Sequence, residues 1–313
     1  MPPSDVFLEA AKQTACMVSC IISVISLEVK GLMVRSYATL NVMIGAVDIG
    51  GTKTLIAAFN GKGEILEQRK FATPQNYEEF LHVLQENVAQ LTTKDFLRAA
   101  VAVPGRLDRT TGIALGYGTL HWGRATIEAD TEKILGCPVR IENDAKLAGL
   151  YEGRQLKQYK DVLYVTIGTG ISCALITNGN INDSLADSEG GQILVDYRGS
   201  MRQWEDVVSG RAIVERFQKR ASDINDAHTW KIIAHDLGLG LIDLISVIQP
   251  DIIVMGGGVN TNFEKYIGHL EKELKKYETP LVPIPPIHCA TKPEEAVIYG
   301  CYELAKDPYG RAH

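Results

Sequence analysis

The chain has 313 residues, 45% of them hydrophobic and 22% charged, with a formal net charge of −6. That length holds two ordinary domains, and the balance is that of a water-soluble globular protein. An acidic excess without a basic stripe excludes a partner held by phosphate neutralisation, so no nucleic acid is expected.

Residues 1–42 differ in character from the rest of the chain. Within them, residues 13–27 are uncharged and mostly apolar, yet short of the roughly 20 residues a membrane span requires, so no membrane is expected. Asp5 and Glu9 stand where a signal peptide carries cationic residues, and no small-residue cleavage site comes after them. The segment reads as an added helical leader of unknown role, or as a start assigned too far upstream, since Met43 opens the first convincing strand. Cys16 and Cys20 are four apart, but no histidine or second cysteine pair lies nearby to complete a metal shell. The six cysteines are otherwise scattered, as in a protein of the reducing cytoplasm.

From Met43, two apolar runs at 43–60 and 64–73 flank a Gly61-Lys62-Gly63 turn and predict a hairpin. Tyr77, Phe80, Leu81, Leu84, Val88 and Leu91 recur at helical spacing over 76–92, and AAVAVPG after them is a buried strand, giving β-β-α-β. An irregular hairpin around Gly112, a helix over 127–135 and the strand VRIEN lead into a helix at Ala145. From Val162, DVLYVTIGTGISCALITNG repeats the plan of the first strand pair, so the chain reads as two related halves. Helices over 208–221 and 230–247, a buried strand DIIVMGGGV, a proline-rich stretch PLVPIPPIHCA and a helix over 294–306 complete it.

Three glycine turns come after apolar strands: DIGGTKT at 48–54, TIGTG at 166–170 and MGGGV at 255–259. Glycine lets backbone N–H groups approach phosphate and adopt the positive φ of a tight anion cradle. One such turn is weak evidence; three together fit a nucleotide held at both its ends. No GxxxxGK[ST] occurs, and GTGISC lacks the third glycine of a dinucleotide turn and runs into another strand, so both standard nucleotide loops are excluded. Phosphoryl transfer to an alcohol needs a carboxylate to take the hydroxyl proton. Asn143-Asp144, between a strand and a helix, can supply it, with asparagine holding a neighbouring hydroxyl. The plainer alternative is that Asp144 only caps the helix beginning at Ala145.

VDIGGTKT, AVPGRLD, IENDA, TIGTGI, SEGGQ, WEDVVSG and PDIIVMGGGV occur in the order and roughly the spacing of the ROK family (repressor, open reading frame, kinase). From about Met43 to Lys306 the chain resembles that family, whose catalytic members phosphorylate glucose and related sugars. The resemblance implies an α/β, two-lobed actin-like ATPase (ribonuclease H-like) fold, each lobe a mixed β-sheet flanked by helices, with a cleft between. The implied division is a first lobe over 43–155 with the sugar site, a second over 156–293 with the nucleotide turns, and a terminal helix over 294–306 returning to the first lobe. It further implies Asp48 as the residue organising magnesium through water, Gly50, Gly51, Thr52 and Lys53 as the first phosphate loop, and Thr166, Gly168, Thr169 and Gly170 as the second. Gly256, Gly257 and Gly258 match the turn over adenosine. Gly105, Arg106, Thr119, Asn143, Asp144, Glu189 and Glu205 match sugar-contacting positions, and Asp144 matches the catalytic base. An ionised Asp144 predicts a polar setting and a pKa well below neutral. A homodimer is implied on family grounds alone.

The departures matter as well. Most ROK proteins carry, after the glutamate motif, a histidine and a cysteine cluster that hold structural zinc. Here Gln192 stands at the histidine, and residues 193–204 contain no cysteine or histidine, so no zinc is expected. Gln192 can still hydrogen-bond a sugar, while packing through Trp204 and Tyr197 is left to hold the loop. Ser172 and Cys173 replace small glycines after the second phosphate loop, and GTLHW near His121 departs from the usual asparagine-containing version. His121 reads as a loop histidine rather than a catalyst. The expected function is therefore ATP- and magnesium-dependent phosphorylation of a hexose, foremost glucose to glucose 6-phosphate. The alternatives are an N-acetylhexosamine or fructose acceptor, polyphosphate as donor, or a sugar sensor without catalysis. DNA binding is disfavoured by the balanced charge and short length of residues 1–42.

Overall fold

The computed structural model describes residues 42–116 and 120–307, so most of the leader, including Cys16 and Cys20, and Thr119 lie outside the described residues. The first half supplies β1 (Met43–Ile49), β2 (Lys53–Asn60), β3 (Ile65–Ala72), α1 (Tyr77–Ala89), β4 (Arg98–Val103), the short pair β5 (Arg106–Asp108) and β6 (Ile113–Gly116), α2 (Ile127–Leu135), β7 (Val139–Asn143) and α3 (Asp144–Gln155). The expected β-β-α-β gains a strand, because Gly50-Gly51-Thr52 breaks the first run into two antiparallel strands. Asn76 starts α1 by accepting the Glu79 N–H at 3.0 Å, and Phe80, Leu84 and Val88 bury one stripe of it.

The second half supplies β8 (Asp161–Ile167), β9 (Ile171–Thr177), β10 (Asn180–Ile181), β11 (Leu194–Tyr197), β12 (Ser200–Gln203), α4 (Trp204–Val208), α5 (Gly210–Phe217), α6 (Ala227–Ile248), β13 (Ile252–Gly256), α7 (Phe263–Leu274), β14 (Ile287–Cys289) and α8 (Ala296–Lys306). The helix expected over 208–221 is interrupted at Ser209, whose backbone is extended and whose side chain accepts the Ala212 N–H to start α5 anew; Gln218, at φ 53°, ends it. Sequence reasoning missed α7, although Phe263, Tyr266, Leu270 and Leu274 mark a buried helical stripe.

The two main sheets have matching topology. The first runs β3-β2-β1-β4-β7 and the second β10-β9-β8-β13-β14. In each, an antiparallel hairpin (β1 with β2, β8 with β9) is joined by parallel strands on the far side of its first member. The repeat read from DVLYVTIGTGISCALITNG is thus a repeat of architecture.

Strand alternation then fixes the layers. Val47, Ile49, Val101 and Val103 face one core with α1 and α2. Leu163, Val165, Ile167, Ile253 and Met255 face another with α4 to α7. The opposite faces of both sheets, Ile44, Ala46, Ala100 and Ala102 on one and Val162, Tyr164, Ala174 and Val254 on the other, close on a shared third core. Leu147, Ala148 and Leu150 of α3 and Ile298, Cys301 and Leu304 of α8 fill that core, so these two helices form a layer between the sheets. The alanines on β1, β2 and β4 let the helices approach. So does Gly300, where a Cβ would run into the Leu147 carbonyl. The result is the two-lobed mixed α/β arrangement, joined through a helical waist.

Candidate active site

Parallel strands deliver their loops to one edge, and ligands bind at the carboxyl ends of such strands. On the first sheet, the register aligns Asp48 with Ala102 and Ala102 with Glu142, which places Asp48 and Asn143-Asp144 on the same edge two strands apart. On the second, Gly256 pairs with Thr166, so the second and third glycine turns share the corresponding edge.

Asp144 opens α3, yet the cap is Asn143: its Oδ1 accepts the N–H groups of Ala145 at 3.0 Å and Lys146 at 3.2 Å. One Asn143 Nδ2 hydrogen goes to the Gly105 carbonyl at 3.1 Å, leaving the other for a ligand. Asp144 Oδ1 accepts the Ala145 N–H at 2.8 Å. Both side chains therefore serve the start of α3, Asn143 as its cap and Asp144 as a second acceptor for the Ala145 N–H. The expected polar setting is not found: burial pushes the Asp144 carboxyl above its ordinary range, opposed by the Ala145 N–H and then raised further by Glu189.

Asp48 is half-buried, and among the described residues no hydrogen bond reaches its carboxylate. Burial first, then the Asp144 charge, pushes its pKa up to about 7, with Lys70 pulling the other way. The Asp144 charge thus acts on Asp48. A cavity of about 400 Å³ opens beside Asp48 toward Lys70, Gln68 and Glu295.

Gly50, Gly51, Thr52 and Lys53 form the β1-β2 turn, closed by the Gly50 N–H to the Lys53 carbonyl at 3.0 Å; Thr73 donates to the Gly50 carbonyl at 2.8 Å. Thr52 and Lys53 are exposed. Gly168 and Gly170 close the second turn at 3.0 Å, and the Gly210 and Arg211 N–H groups bind the Gly168 and Thr169 carbonyls at 2.7 and 3.4 Å. The turn therefore sits on the start of α5. Gly257 has φ 85°, and a Cβ there would lie 2.6 Å from both the Ile167 carbonyl and Thr166 Oγ1, so the third turn packs directly on the second.

Charged residues from both halves interact around Glu189. Glu189, exposed in the opening, interacts with Asp144, Lys146, Glu205 and Arg106, and partial desolvation raises its pKa. Gln192 Nε2 donates to Glu205 Oε1 at 2.8 Å, and Glu205 Oε2 accepts the Ile171 N–H at 3.2 Å, tying this loop to the second glycine turn. Packing is not its only support. β11 pairs with β12, the Trp204 N–H binds the Ile193 carbonyl at 2.8 Å, and Trp204 Nε1, fully buried, donates to the Asp236 carbonyl at 3.1 Å. Tyr197 lies against the guanidinium groups of Arg198, Arg202 and Arg216. His121 is exposed.

Sequence reasoning missed Arg109, Glu142 and Lys146. Arg109 pairs with buried Glu142 at 2.6 Å and reaches Asp187 and the Ala186 carbonyl. Lys146 is 4% exposed, an isolated cation in the apolar stretch AKLAGL, and that contrast was the available signal. A further cavity, about 1060 Å³, is an open groove near Arg154, Lys160 and Lys306, and Asp144 is not among the residues lining it.

The ROK family profile matches residues 44–308. The chain belongs to the ROK family, within the actin- and hexokinase-like ATPase superfamily. It is 24% identical over 310 residues to a glucokinase of Streptomyces coelicolor, covering 84% of this chain and 97% of that one. It is 27% identical to an N-acetyl-D-glucosamine kinase of Mannheimia succiniciproducens, covering 84% and 99%. Among solved structures, a ROK glucokinase of Streptomyces griseus in complex with glucose and AMPPNP superposes with a TM-score of 0.72 at 24% identity, covering 84% of this chain and 99% of that one.

Proposed function

We propose that this chain transfers the terminal phosphoryl group of ATP to a hexose hydroxyl, glucose to glucose 6-phosphate being the specific reaction, with Asp144 as general base. The observation that carries the reading is the Asp144 carboxylate, held at the start of α3 beside Asn143, within the field of Glu189 and acting in turn on Asp48. Asn143, its amide fixed by Gly105, offers one N–H to the sugar, and Arg106, Glu189, Gln192 and Glu205 supply further hydrogen-bonding groups around it; Thr119 is assigned to the same set from the family pattern. Asp144 takes the hydroxyl proton as the new O–P bond forms.

The glycine turns at 50–53 and 168–170 bear the phosphates, and the turn at 256–258 bears the adenosine. Asp48 fits a magnesium ion that keeps its waters and otherwise binds ATP oxygens, because a carboxylate without internal donors is a hard anionic ligand. When bound, magnesium would neutralise charge on the β- and γ-phosphates. The first lobe (43–155), the second (156–293) and the returning helix (294–306) remain our proposed division, with a cytoplasmic homodimer as the working assembly.

A coupled ADP-release assay over a sugar panel tests the reading. Glucose turnover with loss of about 10³ in kcat for Asp144→Asn is expected; full turnover in the variant, or none with any hexose in the wild type, refutes it. The N-acetyl-D-glucosamine kinase relative motivates a second acceptor, and kcat/KM for glucose against N-acetyl-D-glucosamine decides between them.

A further inference from the structure

The segment that carries Glu189 has no regular structure beyond a single short turn at 183–185, yet three consecutive residues of it are held by two cations from the first half of the chain. Arg109 takes the Ala186 carbonyl at 3.0 Å and the Asp187 carboxylate. Lys146 Nζ donates to the Ser188 carbonyl at 2.9 Å, to Ser188 Oγ at 3.3 Å and to the Cys173 carbonyl on β9. These acceptors account for all three of its protons. A lysine at 4% exposure is costly unless so satisfied.

We propose that Lys146 is a positioning residue for the acceptor sugar: its buried ammonium ties the Glu189 segment to the helix that begins at Asp144, and fixes the distance across which the sugar is held. The proposal rests on the reading of Asp144 and Glu189 as acceptor-side groups. Lys146 stands two residues after Asp144 and its last acceptor immediately precedes Glu189, so one side chain sets both groups. Swinging the Glu189 segment outward breaks both bonds to Ser188 and leaves the buried ammonium with the Cys173 carbonyl as its remaining acceptor.

The same charge acts on the site electrostatically. The groups facing Lys146 are Glu142 on β7, Arg109 after β5, Cys173 on β9, Glu189 and Asp144. Lys146 draws both Asp144 and Glu189 toward their ionised forms against the burial that opposes it.

Lys146→Met removes the charge at similar length, and Lys146→Arg keeps the charge but cannot reuse the three acceptors. Steady-state kinetics of the full chain, with the better accepted of glucose and N-acetyl-D-glucosamine and with ATP, test the idea. For Lys146→Met we expect sugar KM to rise about tenfold or more, ATP KM to change less than about twofold, and the acid limb of kcat/KM to move to higher pH. Lys146→Arg is expected to raise sugar KM with the acid limb in place. Lys146→Gln replaces the methionine variant if that chain lacks a cooperative melt, and should neither neutral variant fold, the arginine variant decides through sugar KM alone. An unchanged sugar KM, or equal rises in both KM values with an unmoved acid limb, overturns the proposal. Full turnover in Asp144→Asn would instead remove the reading beneath it.

Discussion

The carboxylate of Glu152, buried within α3, accepts the backbone N–H of Lys292 at 2.9 Å. It also takes the Thr291 N–H at 2.9 Å and the Thr291 hydroxyl. The next residue, Pro293, offers its carbonyl to the Gly257 N–H at 3.2 Å. A helix of the waist thus supports the third glycine turn through one buried acidic side chain.

Glu152→Gln should therefore do more than remove a charge. An amide presents N–H to a backbone N–H that has lost its acceptor, at a cost of about 2–3 kcal/mol. Urea unfolding should show that loss, and ATP KM should rise more than sugar KM. An unchanged unfolding midpoint would refute the role.

Asp48 gives the unliganded protein a pH-dependent stability. Its folded pKa, about 7, lies above the ordinary 3.8, so the folded state binds the extra proton. That contribution is fully present below about pH 4 and is lost as pH rises through 7, amounting to roughly 4 kcal/mol at most. Asp48→Asn should melt higher than the wild type without magnesium, by a margin that grows from pH 4 to 7 and then levels off. A margin independent of pH would contradict the assignment.

For Asp144, burial sets the sign of the activity profile. A base must be deprotonated to accept a proton, so kcat/KM should climb with pH through an acid limb lying above the ordinary aspartate range near 3.8. A rate already flat at pH 4 would show that this carboxyl is ionised earlier than its surroundings dictate.

Asp236 is 2% exposed and pairs with Arg216 at 2.7 Å, beneath the loop anchored by Trp204. Arg216→Met leaves that carboxylate buried and unpaired, and should cost about 3–5 kcal/mol in chemical denaturation. The double variant Arg216→Met, Asp236→Leu should recover much of the loss.

Periodicity carried far in this chain. The helix over 127–135 and the strand VRIEN were legible to the residue, because Gly136 and Asn143 terminate them with chemistry that can be read locally. The break at Ser209 was less visible, since a serine inside an apolar run signals a cap only once its backbone is known to be extended. The glycine turns were legible as turns, but the packing of Gly257 on Ile167 depends on parallel pairing between distant strands. The elevated pKa of Asp144 was illegible for the same reason. Its burial arises from the second half of the chain closing over the first, which no window around IENDA contains.

The helical waist also makes the cover on one face of the first sheet wait on a helix made long after its strands. Ile44, Ala46, Phe59 and Ala100 close against α8, which is made after all five strands of that sheet. Until then that apolar face has only α3 and the second sheet to cover it, leaving a surface for chaperones or for aggregation during synthesis. A nascent chain stalled before Ala296 has made every glycine turn of the cleft and still lacks one of the two helices that fill the space between the sheets.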